Sequence, residues 1–142
     1  MDRPTRLSID RRHSLAGRKN LEWFFANRKW VRTAKPQILE CSWAIRPLPD
    51  KEAATRFLLL APSKSYKRAH DRNKIKRWLR AGIAEVPDFA SLESELATDS
   101  KQLLIMLRIS KPLVEVKWQV ILDDLHLIAH HLAKRIAKEP LQ

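Results

Sequence analysis

The chain has 142 residues, 44% of them apolar, which is the size of one domain and enough to bury one core. Twenty-eight Lys and Arg against sixteen Asp and Glu leave a formal charge of +12, an excess that points to a polyanionic partner, nucleic acid first. No apolar run approaches the roughly 20 residues that span a bilayer, the Arg-broken first thirty residues hold no signal-peptide core, and Cys41 as the single cysteine excludes an internal disulfide framework or a cysteine-built zinc cage. The expectation is a cytoplasmic, monomeric protein with no membrane partner.

Residues 1–14 are polar and basic without apolar period and read as a flexible arm; residues 15–138 read as a single α+β domain. Leu21, Phe24 and Phe25 give Leu15 to Asn27 a helical spacing, with Asn27 suited to the left-handed position that ends a helix. A short strand is expected at Lys29 to Ala34, and a clearer one at Ile38 to Ile45, where Leu39, Cys41, Trp43 and Ile45 alternate. Pro47 and Pro49 force a turn. Phe57 to Ala61 is continuously apolar, the pattern of a central strand covered on both faces. From Lys64 to Ala84 the period becomes helical, with Ile75, Trp78, Leu79, Gly82 and Ile83 on one stripe. Glu85 to Ser100 holds five acids and no Lys or Arg, and reads as a solvated loop, with room for one helical turn, directed away from the polyanion. Leu103 to Ile109 is a buried strand, and Pro112 opens a last helix with Val114, Trp118, Ile121, Leu125, Ile128, Leu132 and Ile136 in register. The order α-β-β-β-α-β-α suits a two-layer α/β sandwich, a sheet packed on one face by helices.

The stretch from Lys64 to Arg80 carries eight Lys and Arg and one acid. On a helix Arg72, Lys76 and Arg80 line up at four-residue spacing, with Asn73 and Arg77 in the adjoining row and the apolar stripe opposite. A charge run is usually a solvated face. Here the charges share one sign and repel at helical spacing, so a ladder held for a phosphate backbone is the better reading.

The run Arg72-Asn73-Lys74-Ile75-Lys76-Arg77-Trp78-Leu79-Arg80 resembles the signature helix of the bacterial ribonuclease P protein family, whose usual pattern is Arg-Asn-Arg, an aliphatic residue, Lys-Arg and a following Arg. Leu58 to Lys64 with Arg68 and Ala69 resembles that family's preceding strand and basic loop, and Leu103 to Arg108 its next strand. Leu21 and Phe25 match two positions of its first helix. The chain departs from the pattern at Lys74, which keeps the charge of the usual Arg without its bidentate fork, and at Asp71, Asn27 and Lys67. An acid at Asp71 suits a helix start.

The resemblance implies an α+β fold of the kind found in the second domain of a ribosomal protein, with a left-handed βαβ crossover around the signature helix. It implies a subunit of a ribonucleoprotein enzyme whose catalytic RNA, with bound Mg2+, hydrolyses the phosphodiester between the 5′ leader and precursor tRNA. On that basis Arg72, Asn73, Lys74, Lys76, Arg77 and Arg80 are the candidates for RNA contact, with Lys64 and Arg68 beside them. Phe25, with Phe24 and Trp43, is the candidate leader-binding cleft, since stacking on aromatic rings tolerates many sequences. The same spacing suits rings packed in the core equally well. The alternative is a general RNA- or DNA-binding module of ribosomal or nucleoid type with no part in cleavage.

No constellation suggests catalysis by the protein itself. His126 and His130 are four apart on the last helix, but no Glu follows His126 as in a zinc protease, and His131 points elsewhere. Neighbouring Asp123 and Asp124 diverge and read as solvated, and Ser63 and Ser65 have no recognisable triad partners. Neither a catalytic residue nor a tightly held metal is expected in the protein.

Overall fold

The computed structural model describes Leu7, residues 9–31 and residues 36–138. In chain order the elements are α1 (Arg18–Asn27), β1 (Lys29–Trp30), β2 (Leu39–Pro47), β3 (Thr55–Leu60), α2 (Ala69–Glu85), α3 (Pro87–Thr98), β4 (Lys101–Ile109) and α4 (Trp118–Lys138). Short 3-10 turns stand at Arg11–His13 and Leu113–Glu115. The strands form one mixed sheet in the order β1-β2-β4-β3. Antiparallel β2 sets Trp43 opposite Ile105, and parallel β3 sets Phe57 opposite the same residue. Parallel neighbours require a long crossover, which α2 and α3 provide. The fold is α+β, as expected.

Side-chain alternation sorts the sheet into two faces. Cys41, Trp43, Phe57, Leu103, Ile105 and Leu107 enter the larger core together with the apolar stripes of α2, α3 and α4. Ala44, Leu104 and Met106 point the other way and meet Leu15 and Phe24, the buried ring of α1. The sandwich therefore has its three long helices on one face, while α1 covers part of the other. No described helix is long and apolar enough to cross a membrane.

Several sequence expectations are corrected by packing. The segment Glu85 to Ser100 is a helix: Pro87 starts it, and Phe89, Leu92 and Leu96 are buried at a spacing of three and four. Asp88, Glu95 and Asp99 of the segment are exposed while Glu93 is half-buried, so its charge content hid a real apolar stripe. The central strand is β4, buried from Gln102 to Leu107, whereas β3 lies at the sheet edge. That edge is partly covered by the chain before α1, because Ser14 bridges Phe57 and the Leu15 amide donates to the Phe57 carbonyl at 2.9 Å. The supposed arm is thus ordered from Ile9 through Ser14, and Leu7 is buried in the larger core; residues 1–6 and 8 lie outside the described residues.

Boundaries shift for local reasons. Helix α1 begins after Gly17, whose φ of 91° only glycine adopts without strain. Asn27 keeps helical geometry, its Nδ2 donating to the Trp23 carbonyl at 2.8 Å, and extended Arg28 ends the helix instead. β1 is two residues long, and positions 32–35 of the expected strand lie outside the described residues. Helix α2 starts at Ala69, not Lys64, because Ser65 and Tyr66 turn back onto the Pro62 carbonyl. Tyr66 is buried there and its hydroxyl donates to the Lys111 carbonyl. Val114 falls in a 3-10 turn and is 80% exposed, outside the α4 stripe.

Three ties hold the layers. Buried Asp124 on α4 accepts the backbone amides of Gln37, Ile38 and Leu39 at 2.8, 2.7 and 3.0 Å, fastening the start of β2, so the expectation that it is solvated is wrong; Asp123 is exposed. Gly82 lets α2 approach α4: a Cβ there would lie 2.6 Å from Leu125 Cδ1. On the opposite face Arg46 donates to buried Gln102 at 2.7 Å and to Asn20 of α1 at 3.3 Å, while Gln102 donates to Glu52 and the Ala53 carbonyl. Satisfying every partner of such a buried polar set is what makes it cohesive rather than costly.

Candidate nucleic-acid interface

Helix α2 forms because Ile75, Leu79, Gly82 and Ile83 make one buried stripe against β3 and α4. That anchoring fixes which cations face outward. Asn73, Arg77 and Arg80 are exposed, and Arg72, Lys74 and Lys76 are half-buried along the flanks. Arg68 is the exposed N-cap residue and Lys64 is exposed in the preceding turn, so all eight candidates lie on or next to one helix. Asp71 falls in the first turn, where a carboxylate complements the helix dipole, although no side-chain cap bond forms.

The cations are not equivalent. Arg72 Nη1 donates to the carbonyls of Tyr66 and Lys67 at 2.8 and 3.0 Å, clamping the basic loop onto the helix. The Lys74 ammonium lies 4.9 Å from the centre of the Trp78 ring, which in turn meets Trp118 edge-on at 6.3 Å. A lysine at this signature position is therefore matched to a local aromatic partner. Among the described residues no acid is ion-paired with Lys76, Arg77 or Arg80, and their charge is left for an outside partner.

The aromatic candidates separate. Phe24 is 0% and Trp43 1% exposed, each held in one of the two cores, so neither can offer a ring face to a base. Phe25 remains, 45% exposed. Next to it stands a residue that sequence reasoning missed, Trp30, 40% exposed on β1. The Arg28 guanidinium lies 4.8 Å from the Phe25 ring centre and 4.5 Å from that of Trp30, and its Nη1 is 3.6 Å from Met106 Sδ on the α1-covered face of the sheet. The result is an exposed cation-aromatic platform at the end of α1. Its signal in the sequence was Phe25, Arg28 and Trp30 within six residues, but the turn that joins them was not legible.

The set-aside constellations remain apart from this surface. His126 and His130 are exposed on α4, and burial followed by the Arg135 charge lowers the pKa of His131. Among the described residues no three His, Cys, Asp or Glu side chains converge as a metal-ligand set. Cys41 is buried, which pushes its thiol pKa far up and makes it inert.

The fold and this surface define a basic α+β domain whose cations are concentrated on the crossover helix that follows a parallel-paired strand. The chain belongs to the ribonuclease P family: the family model for ribonuclease P matches residues 9–133. That membership makes it a protein subunit of an RNA-processing enzyme that acts in tRNA maturation. Neither a curated protein nor a solved structure matches the chain.

Proposed function

We propose that the protein binds the catalytic RNA of ribonuclease P through the outward face of α2 and the 5′ leader of precursor tRNA across the platform of Phe25, Arg28 and Trp30. The carrying observation is the exposure of Asn73, Arg77 and Arg80 on a helix locked by a fully buried stripe, with no described acid to neutralise the two arginines. Arginine suits phosphate because its fork donates two parallel hydrogen bonds. A rigid helix presents those forks without the entropy loss of ordering a loop. In this reading Lys64 and Arg68 extend the row toward the basic loop.

Hydrolysis belongs to the RNA, with Mg2+ held by the RNA, and the protein contributes binding and orientation. A leader laid over Phe25 and Trp30 keeps sequence tolerance, because every base has a stacking face. The test is cleavage of precursor tRNA at low Mg2+ by the catalytic RNA, with and without the purified protein. The expected result is cleavage that requires the RNA and rises with protein. Binding to that RNA no tighter than to duplex DNA, with cleavage unaltered, transfers the reading to a general nucleic-acid-binding module. Cleavage by protein free of RNA overturns the assignment of catalysis.

A further inference from the structure

The segment before α1 is folded against the sheet edge by its own small network. Asp10 caps the turn Arg11–His13 by accepting from the Arg12 amide at 2.9 Å, and its backbone amide donates to His13 Nδ1 at 3.3 Å. The same Nδ1 lies 3.3 Å from Asp10 Oδ1, and the opposite ring nitrogen, Nε2, lies 2.9 Å from Oε1 of Glu93 on α3. Glu93 also accepts from the Thr55 hydroxyl at 2.8 Å. His13 is 4% exposed, so a turn of the basic N-terminal segment is pinned to the acidic helix and to β3 by one buried ring. Arg11, exposed, is carried outward by that turn.

Between this turn and α2 lies an open cavity of about 500 Å³ lined by Arg11, Lys76 and Arg80 together with Phe57 to Leu59 of β3. Its one acid, Asp10, is already occupied by the Arg12 guanidinium at 3.1 to 3.3 Å, which lowers its carboxyl pKa to about 2. Among the described residues none of the three lining cations has an ion-pair partner. Three uncompensated cations around one cavity repel each other, and an anion seated between them relieves that repulsion.

We propose that this notch is a phosphate-binding site for the RNA backbone, with Arg11 completing it and His13 acting as a positioning residue through Glu93. The proposal rests on the reading of α2 as an RNA-binding face, and it adds a contact from outside the signature helix. Its occupant is an RNA phosphodiester, since Lys76 and Arg80 sit on the helix that the backbone would follow.

The test is equilibrium binding of the full-length protein to its catalytic RNA across a salt series. Arg11→Ala is expected to weaken binding about three- to tenfold at moderate salt and to reduce the salt slope by about one, as loss of one phosphate contact does. His13→Ala is expected to give the same loss, and the double variant no more than either single one, because His13 acts by placing Arg11. If His13→Ala does not fold, Glu93→Ala, which removes the oxygen that holds the ring, serves in its place. Wild-type binding by Arg11→Ala alongside weakened binding by Arg77→Ala overturns the notch and leaves the proposed function standing. Unchanged binding by both variants removes the α2 reading as well. Summed losses in the double variant overturn the positioning role of His13.

Discussion

Asp124 carries more of the structure than its place beside Asp123 in the sequence suggests, because three backbone amides converge on its carboxylate. Removing a buried acceptor leaves those donors without partners, each at a cost of about 1–3 kcal/mol. Asp124→Ala should therefore destabilise the protein by about 2–5 kcal/mol, read by urea unfolding. A loss no larger than that of Asp123→Ala would contradict the role given to Asp124. Cys41 offers a probe of the same interior: buried and with its thiol pKa raised, it should react with iodoacetamide only as fast as the fold opens. His131 reports the α4 surface. Burial and Arg135 lower its folded-state pKa below the ordinary 6.5, so the unfolded chain takes up its proton first. Stability from this residue should then fall as pH drops below 6.5 and level off below the folded value. A proton-NMR titration midpoint for His131 below 6.5 is the expected result, and one at or above it would refute the burial argument.

At the scale of elements, α3 and the α2–α4 contact decide whether the signature helix is held in place. Leu92 is buried in α3 against the larger core, so Leu92→Ala should cost about 2–5 kcal/mol, whereas a solvated loop at this position would tolerate it. Calorimetry separates the two. Gly82→Val places branched carbon where Leu125, Ile121 and Trp118 already lie. Overpacking of this kind costs about 1–3 kcal/mol or more; the thermal midpoint should drop, and RNA binding should weaken because α2 can no longer seat against α4. The helix-period stripes of α2 and α4 were legible in the sequence because their apolar residues recur without interruption. Helix α3 was not, since five acids in sixteen residues outweighed Phe89, Leu92 and Leu96 when charge was taken as the guide.

At the scale of the whole molecule, the fold gathers cations from distant segments: Arg11 of the N-terminal turn lines one cavity with Lys76 and Arg80 of α2, and Asp88 and Glu95 of α3 are outside that lining. Such a one-signed cluster attracts a polyanion and makes affinity steeply salt-dependent. Arg77→Ala should lower affinity for the catalytic RNA several-fold and reduce the salt slope by about one, without shifting the thermal midpoint, because Arg77 is exposed. Filter binding between low and moderate salt measures both. A midpoint shift with unchanged slope would mean that Arg77 is structural.

The candidate RNA row was readable from one dimension because a helix converts residue spacing directly into a face: Arg72 to Arg80 needed only the 3.6-residue period. The aromatic candidates were not, since Phe24, Phe25 and Trp43 satisfy the same apolar spacing whether they face the core or solvent. Sequence by itself determined the charge, the strand and helix periods, the signature row and the family resemblance, all of which depend on composition or on neighbours within a few positions. Only the tertiary structure decided that β3 is an edge, that Asp124 caps the start of β2, that Phe25 and Trp30 share Arg28, and that Arg11 lines one cavity with Lys76 and Arg80. Each of these joins residues distant in sequence or separated by an irregular turn, and such meetings are fixed by how the layers pack, which no local period encodes.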